Sequence, residues 1–353
     1  MRRSLIALCL VAATAAGVTT TSAGPIGFKV KTLASDQQDA NLVNAWGISA
    51  SPTGPFWLGA NGSGTSLVYN GSGAKLGLEV TIPGDGSVTG VAFSTVAGQF
   101  NGDTFLFASE DGTFSGWRGA LGTAAETLQT ADPNNVYKGL TVGSVGGHSY
   151  AYIADFHSGT IDVAKGDAAA PNLPGAFVDP GLPAGYAPFN VVNIGGILYV
   201  AYAVQGAGKD EAAGPGNGIV DRFDLNGNFL GRLVNPGGAL DAPWGLALAP
   251  AGFGDVGGSL LVGNFGDGRI HAYDPITGAL LETLLDTGGN PIFIDGLWGL
   301  RFGNGVSGGT LYFTAGPKEE SEGLFGQITV PEPSTFLLLA SGLWGVVRRR
   351  RSA

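Results

Sequence analysis

Charged residues are scarce in this 353-residue chain: they make up 13% of it, and there are three histidines and one cysteine. Cys9 lies in an apolar run near the N-terminus, so residues 24–353 form no disulfide and offer no thiol nucleophile or thiolate metal ligand. His148, His157 and His271 stand at unrelated positions, and their spacing predicts no zinc site.

Glycine accounts for 62 residues, whereas Glu, Lys, Arg and Gln, which favour helices, are few. This composition argues against long helices and favours many short strands joined by tight turns. The chain is 44% hydrophobic and 10% aromatic, which is enough to bury a sizeable core and excludes general disorder.

The N-terminus has the pattern of a secretory signal. Arg2 and Arg3 precede an apolar run at 5–18, and the small residues at 21–23 precede a cleavage site at Gly24. We therefore expect residues 1–23 to be a signal peptide and the body of the protein to begin at Gly24.

The C-terminus combines three features in a fixed order. The order is Val330, Pro331, Glu332 and Pro333, then an apolar stretch at 336–347, then arginines at 348–351. The apolar stretch is shorter than the roughly 20 residues that span a bilayer, so it predicts a sorting anchor whose arginines stay in the cytoplasm. An ordinary membrane anchor is the alternative.

This order of features resembles the PEP-CTERM sorting signal. The resemblance implies that an exosortase-type membrane transpeptidase cuts near the Pro-Glu-Pro sequence, in systems that accompany exopolysaccharide production in Gram-negative bacteria. We expect a signal peptide at 1–23, one body at 24–329 and a sorting segment at 330–353. The segment would anchor the protein in the membrane before sorting delivers it to the cell surface or medium.

The body is more acidic than the whole chain. The two ends hold six of the 18 basic residues and, with Glu332, one of the 28 acidic residues. Residues 24–330 therefore carry 12 basic and 27 acidic residues, a net charge of about −15. Such a surface repels phosphate backbones, which excludes nucleic acid as a partner.

A degenerate repeat runs through the body. Each copy has an aromatic or polar residue, a glycine or asparagine anchor, and then a short apolar strand. The anchors are Gly47, Gly90, Gly139, Asn190, Gly245 and Gly299, with spacings of 43, 49, 51, 55 and 54 residues. A period near 50 residues in a chain of strands predicts a β-propeller.

Each repeat has room for four strands, and six repeats predict an all-β, six-bladed β-propeller. The sixth repeat lacks a fourth strand, and an unassigned strand at 28–33 precedes the first anchor. We expect that strand to complete the sixth blade and close the ring, because closure removes exposed sheet edges.

Two segments, 153–161 and 262–270, resemble NHL-type propeller repeats, and the body resembles an uncharacterised family of secreted bacterial propellers. The resemblance implies an NHL-like propeller fold. It leaves the function open, because NHL-like repeats serve binding proteins, lyases and hydrolases alike.

Polar residues follow the second strand of several repeats. They are Asn61, Glu110, Asp155, Asn264 and Asp267. Because a propeller carries equivalent positions around one axis, these oxygens are candidate ligands for Ca²⁺ near the centre, as in sugar-lactone hydrolases of this general fold. The alternative is that each side chain caps its own turn.

Four of the six residues that precede the anchors are aromatic. They are Trp46, Phe189, Trp244 and Trp298, and the other two are Thr89 and Lys138. Such rings around one mouth of the channel would stack on sugars, with Asp295, Asp241 and Asn44 accepting sugar hydroxyls. The alternative is packing between blades.

Three irregular segments, 168–188, 205–218 and 318–322, are expected on the same face as the aromatic residues. Ligands of a propeller usually approach through such loops.

We interpret the chain as an exported propeller of the cell surface or extracellular matrix. On this reading it is a binding or structural protein rather than an enzyme, with exopolysaccharide or an envelope protein as its partner. The alternative is a calcium-dependent hydrolase or lyase that acts on a sugar derivative.

Overall fold

The computed structural model describes residues 27–331, and this part of the chain is built from 23 strands in six small antiparallel sheets. Each sheet is one blade of a six-bladed propeller. In each blade the strand that contains the repeat anchor lies innermost. The other strands follow outward in chain order, except that the outermost strand of blade 6 is the first strand of the body. The predicted all-β, six-bladed propeller is confirmed.

The strands of blades 1 to 3 are as follows. Blade 1 contains β2 (Ala45–Ala50), β3 (Phe56–Ala60), β4 (Thr65–Tyr69) and β5 (Lys75–Thr81). Blade 2 contains β6 (Val88–Phe93), β7 (Phe105–Ser109), β8 (Phe114–Trp117) and β9 (Glu126–Gln129). Blade 3 contains β10 (Tyr137–Val145), β11 (His148–Asp155) and β12 (Thr160–Lys165).

Blades 4 to 6 complete the ring. Blade 4 contains β13 (Tyr186–Ile194), β14 (Ile197–Val204), β15 (Gly218–Asp224) and β16 (Phe229–Val234). Blade 5 contains β17 (Pro243–Leu248), β18 (Leu260–Asn264), β19 (Ile270–Tyr273) and β20 (Leu280–Thr283). Blade 6 contains β21 (Leu297–Phe302), β22 (Leu311–Ala315), β23 (Leu324–Thr329) and β1 (Lys29–Ser35). Short 3₁₀ turns occupy Asn61–Ser63, Phe100–Gly102, Gly119–Leu121, Gly254–Val256 and Gly305–Ser307.

The first strand of the body closes the ring. β1 pairs antiparallel with β23, from Lys29 opposite Thr329 to Ser35 opposite Leu324. The strand predicted at 28–33 therefore completes blade 6, although it starts one residue later and continues to Ser35. This pairing joins the two ends of the body through a backbone ladder, and the outermost strand of blade 6 comes from the opposite end of the chain.

Blade 3 corrects the expectation of four strands in every unit. Its sheet has three strands, and the chain between Lys165 and Tyr186 forms no strand. Prolines at 171, 174, 180 and 183 explain this, because proline cannot donate to a strand ladder. The segment packs against blade 4, where Phe177 lies near Phe223, and Asp179 pairs with Arg232. It starts where β12 ends, at the opposite face from the anchors, so the prediction that 168–188 lies wholly on the anchor face is wrong.

The hydrophobic core lies between neighbouring blades. Between blades 1 and 2, for example, Trp57 stacks on Phe105 with ring centroids 4.1 Å apart. Val68 and Phe107 belong to the same buried cluster, contributed by the same two blades. Each blade is therefore stabilised by burying both faces against its neighbours, which explains why many of its strands are buried along their whole length.

The repeat glycines mark the places where inner strands of successive blades meet. A Cβ atom at Gly47 would lie 2.5 Å from Thr89 O, and one at Gly245 would lie 2.8 Å from Trp298 O. A Cβ at Gly299 would lie 2.7 Å from Trp46 O. The last blade therefore meets the first blade in the same way as the other neighbouring blades meet. Each of these three contacts is with a backbone atom of the neighbouring blade, and side chains such as Thr314 at Gly299 and Leu300 at Gly245 lie at least as close. Any side chain at these positions would therefore push the blades apart.

Asparagine replaces glycine at the fourth anchor and supports the same junction differently. Asn190 Nδ2 donates to Trp244 O of blade 5 at 2.7 Å, and its Oδ1 accepts the N–H of Val191 at 2.8 Å. Thr314 Oγ1 makes the corresponding link at the closure, where it donates to Trp46 O at 2.5 Å. Hydrogen bonds between blades therefore satisfy inner-strand carbonyls that no strand of their own sheet reaches.

We predict that Gly299→Ala destabilises the protein by about 2–3 kcal/mol, because the new methyl group would overpack a junction bounded by backbone. Gly77→Ala is the matched control: Gly77 lies exposed in β5 with nothing within 4 Å of its Cβ position. We expect the control to stay within about 0.5–1 kcal/mol of the native protein. Urea unfolding of both variants measures the difference, and equal stabilities would contradict this account of the anchors.

Candidate functional site

Six aromatic side chains close the centre of the propeller at the face where the inner strands begin, which we call the top face. They form the aromatic cluster: Trp46, Phe156, Phe189, Trp244, Phe265 and Trp298. Trp298 is sandwiched between Trp46 and Phe265, with ring centroids 3.5 Å and 4.0 Å away, and Trp244 meets both tryptophans edge-on.

The four aromatic residues singled out from the sequence thus lie together around the axis. All four are buried: Trp46, Phe189, Trp244 and Trp298 are at most 5% exposed, and their faces contact one another. The structure gives these rings the packing role that was weighed against sugar stacking. The indole nitrogens of Trp46 and Trp244 have no hydrogen-bond partner among the described residues.

A buried lysine lies next to the aromatic cluster. Lys138, the residue before the third anchor, is 1% exposed, and its Nζ lies 4.9 Å from the ring centre of Trp46. Nζ also lies 5.8 Å from the rings of Phe156 and Phe189, so aromatic faces contribute to solvating the ammonium group. The same Nζ forms an ion pair with Glu110 Oε1 at 2.5 Å.

Amide side chains extend this ion pair across the top face. Asn61 Nδ2 donates to Glu110 Oε2 at 3.3 Å, and Asn44 Nδ2 reaches Asn61 Oδ1 at 3.4 Å and Glu320 Oε2 at 2.9 Å. Trp298 Nε1 donates to Asn44 Oδ1 at 3.0 Å and ties the amides to the rings below. We call Asn44, Asn61, Glu110, Lys138 and Glu320 the Lys138 network. It connects blades 1, 2, 3 and 6.

Two glutamates reach this site from loops. Burial, and then the charges of Glu211 and Glu110, raise the pKa of Glu320 to about 7. Burial also raises the pKa of Glu211, against the attraction of Lys138. A carboxyl group such as that of Glu320, which exchanges protons near neutral pH next to a buried ammonium group, is typical of functional sites.

The loop that carries Glu320 is strained. Lys318, Glu319 and Glu320 have φ values of 53°, 55° and 65°, three consecutive non-glycine residues in the left-handed region. Asp295 is exposed, and its Oδ2 accepts the N–H of Lys318 at 2.9 Å. The hydrogen bond to Asp295 therefore helps to hold the loop in the conformation that brings Glu320 to Asn44.

The five side chains considered for calcium separate into two groups. Asn61 and Glu110 meet in the Lys138 network. Asp155 Oδ1 accepts the N–H groups of Val136, His157 and Ser158 at 2.9–3.3 Å, which makes it a turn cap.

The other two candidates also serve their own turn. Asp267 Oδ1 accepts from Asn264 Nδ2 at 2.9 Å and from the N–H of Arg269 at 3.1 Å. Beside Glu110, the position that a cation would take is filled by the Lys138 ammonium. No group of three His, Cys, Asp or Glu within residues 27–331 could hold a metal ion. The contacts of these residues therefore do not fit a calcium site.

The sequence indicated only part of this site. In the sequence, Lys138 is one of two non-aromatic residues before the anchors and carries no predicted role, whereas Asn61 and Glu110 are predicted as strand-end ligands. Glu211 and Glu320 were not singled out, because they lie in loops without a repeat. The predicted position of the segments 205–218 and 318–322 near the aromatic residues agrees with the interaction of both glutamates with Lys138.

The targeting segments lie mostly outside the described residues. The predicted signal peptide, Glu332, Pro333 and the apolar stretch at 336–347 all do so. Val330, the first residue of the predicted sorting segment, packs against the core between blades 5 and 6. Within residues 27–331, no helix is long and apolar enough to cross a membrane.

We predict that Glu320→Gln flattens the pH dependence of stability. A raised carboxyl pKa means that the folded state holds the proton more tightly than the unfolded state. The associated stability is present below pH 4.5 and disappears as the pH rises through about 7. The loss of unfolding free energy from pH 5 to pH 8 should shrink by about 1 kcal/mol in the variant, since solvent screens part of the shift.

Glu319→Gln is the control for that experiment, because Glu319 is the exposed neighbour of Glu320 in the same loop. Urea unfolding at the two pH values should give the Glu319→Gln protein the pH dependence of the native one. An identical pH dependence in both variants would show that Glu320 does not titrate in this environment.

Known proteins resemble the chain at two levels. The PEP-CTERM protein-sorting motif matches residues 329–351, which confirms the predicted C-terminal motif and marks an exported protein sorted to the envelope.

Among solved structures, the Penicillium chrysogenum α-L-arabinanase complexed with arabinobiose has a TM-score of 0.55 at 13% identity. The match covers 86% of this chain and 98% of the arabinanase chain. A luciferin-regenerating enzyme has a TM-score of 0.51 at 14% identity, covering 86% and 95%. These two likenesses show the fold alone.

Two proteins of Acanthamoeba polyphaga mimivirus are similar in sequence over most of the body. Uncharacterized protein R648 is 32% identical over 311 residues, which cover 82% of this chain and 76% of the viral protein. Uncharacterized protein L690 is 31% identical over 314 residues, 82% of this chain and 81% of its own. The chain belongs to the same family as these two uncharacterised viral proteins and carries a PEP-CTERM sorting motif at its C-terminus.

Proposed function

We propose that the protein is an exported propeller of the cell surface or matrix that binds a neutral polysaccharide on its top face. The observation that carries the proposal is the Lys138 network, in which an ammonium group, carboxylates and amides come together around the axis. The aromatic cluster beneath it holds these groups in fixed positions.

The mixture of donors and acceptors is the chemical argument for a sugar ligand. A sugar hydroxyl donates one hydrogen bond and accepts others, so it is recognised best where carboxylates accept and amides or ammonium groups donate. Glu110 and Glu320 supply carboxylate oxygens, and Asn44 and Asn61 supply amide groups of both kinds. Charge-assisted hydrogen bonds of this type are roughly twice as strong as neutral ones.

The charge of the site argues for a neutral sugar. Three glutamates surround one lysine, and the body carries a net charge of about −15. An anionic polysaccharide would meet repulsion both at a distance and at the site. The PEP-CTERM motif supports a setting in the envelope, where exosortase-type processing acts on the tail and exopolysaccharide is the neutral polymer that we propose as the ligand.

A second function, hydrolysis or lyase cleavage of a sugar derivative, is favoured by one specific observation. Glu320 has a pKa of about 7, so it can hold a proton at neutral pH, while Glu110 Oε1 lies 2.5 Å from Lys138 Nζ in an ion pair. One acid and one base near a glycosidic bond are the groups that hydrolysis requires. The acid would protonate the leaving oxygen, and the base would take a proton from the attacking water.

We predict that the exported protein, purified from cells, binds neutral polysaccharides on a glycan array. Glu320→Gln should weaken that binding at least tenfold at pH 8, because it removes a charged acceptor from the centre of the network. Glu319→Gln, the same change one residue away on the exposed side of the loop, should bind like the native protein. Binding to anionic glycans only, or equal binding by both variants, would contradict the proposal.

The same samples decide between binding and catalysis. If the protein only binds, a polysaccharide that it recognises on the array gains no new reducing ends and no unsaturated ends when the two are incubated together. If Glu320 is a catalytic acid, the native protein releases such ends, and Glu320→Gln loses turnover by at least a hundredfold. Release of products by both proteins at the same rate would contradict a catalytic role for Glu320.

We further predict that the tail determines where the protein remains. In a host with an exosortase-type enzyme, the full chain should stay at the surface, held in the membrane before sorting. Deletion of residues 330–353 should release most of the protein, because the motif and the apolar stretch are lost together. Fractionation with an antibody to the body measures this, and a host without the sorting enzyme is the control. Equal surface retention with and without the tail would contradict the prediction.

A further inference from the structure

A cavity opens on the bottom face, where the inner strands end. It has a volume of about 910 Å³ and runs along the axis from Trp244 to the ends of the inner strands. Its inner wall is aliphatic, with one side chain from each blade: Ile48, Val91, Leu140, Val192, Leu246 and Leu300. The cavity is large enough for a small organic molecule.

One charged side chain lines this cavity, and it is a cation. Arg301 extends from the end of β21, while the other residues that line the described cavity are apolar, hydroxyl-bearing, amide-bearing or glycine. Its Nη2 donates to Ala50 O at 3.1 Å, and its Nε is buried without a hydrogen-bond partner in the part of the chain that the structure describes. Burial lowers the pKa of Arg301, and no carboxylate within residues 27–331 raises it again.

Of the described arginines, Arg301 and Arg222 have no carboxylate partner, and of these two only Arg301 lines the cavity. Arg118 contacts two acids, Asp103 and Glu126, and Arg232 contacts another two, Asp179 and Asp221. A buried charge without a partner costs free energy, and a bound anion would offset that cost. The guanidinium also matches a carboxylate with two parallel hydrogen bonds.

We propose that the bottom cavity binds a small molecule in which a carboxylate is joined to an apolar body. The carboxylate pairs with Arg301, and the apolar body lies along the ring of aliphatic side chains. Leu248, at the rim, is 43% exposed and offers more apolar surface to such a ligand. This site is at the opposite end of the axis from the Lys138 network, so its ligand is independent of the polysaccharide.

A purely structural role for Arg301 makes a different prediction. Arg301 and Asn304 of blade 6 donate to Ala50 O and Ser51 O of blade 1, so both side chains help to join the first and last blades. If that were their whole role, the cavity would have no preference for an anion. The decisive comparison is therefore between ligands that share an apolar body and differ in the head group.

The experiment is calorimetric titration of the full-length protein with octanoate, octanol and octylamine. We expect octanoate to bind at least tenfold more tightly than octanol, and octylamine to show no binding, because the guanidinium repels an ammonium group. Octanoate and octanol binding equally well would overturn the proposal, and so would octylamine binding best or no binding of octanoate.

Arg301→Met tests the residue itself, because methionine keeps much of the apolar stem and removes the charge. It should lower the affinity for octanoate at least tenfold and leave that for octanol unchanged. Arg222→Met is the matched control: Arg222 also donates to a backbone carbonyl, that of Pro275, and has an unpartnered buried Nε, but it does not line the cavity.

The Arg222→Met protein should bind octanoate like the native protein, and equal loss in both variants would overturn the assignment to Arg301. If Arg301→Met does not fold, Arg301→Lys keeps the charge without the two-pronged geometry and should bind octanoate with intermediate affinity. Polysaccharide binding at the top face is measured on the same samples, so failure of one site is distinguishable from failure of the other.

Discussion

The narrow space around the propeller axis is the constraint on which the rest of this structure depends. Six inner strands converge there, and at five of the six anchors the neighbouring blade leaves no room for a Cβ atom. Glycine fits these five positions because it has no side chain. At the sixth anchor, Asn190 donates a hydrogen bond from its side-chain amide to the next blade. Ring closure by β1 holds the six junctions in place, since any opened blade would expose its buried faces.

The same convergence gives the two ends of the axis opposite characters. On the top face, large rings fill the space before the anchors and bury Lys138, whose charge then requires Glu110 and the amides around it. On the bottom face, the smaller aliphatic side chains after the anchors leave an open cavity with Arg301 as its charged residue. The residues before the anchors therefore contribute to a polar site at one end of the axis, and the residues after the anchors line an apolar cavity at the other end.

Prediction from the sequence succeeded where a residue repeats with the blades. The anchors, the second strands and the closing strand follow from a period near 50 residues and from the short apolar runs within each repeat. It failed at blade 3, where prolines replace the fourth strand, and it missed Glu211 and Glu320, which lie in loops outside the repeat. The strand-end acids were grouped by their equivalent positions, but Asp155 and Asp267 turn toward nearby N–H groups and only Glu110 joins the site.

The repeat, the ring, the targeting motif at the C-terminus and the strongly acidic body follow from the amino-acid sequence alone, because these features depend on residue types at regular or terminal positions. Which polar groups meet depends on the folded chain, because folding brings together residues that are far apart in the sequence. The aromatic residues could line a channel or fill it, and their packing against one another decided that they fill it. The pKa of Glu320 and the unpaired state of Arg301 depend on burial and on neighbours from distant parts of the chain, which no local pattern records.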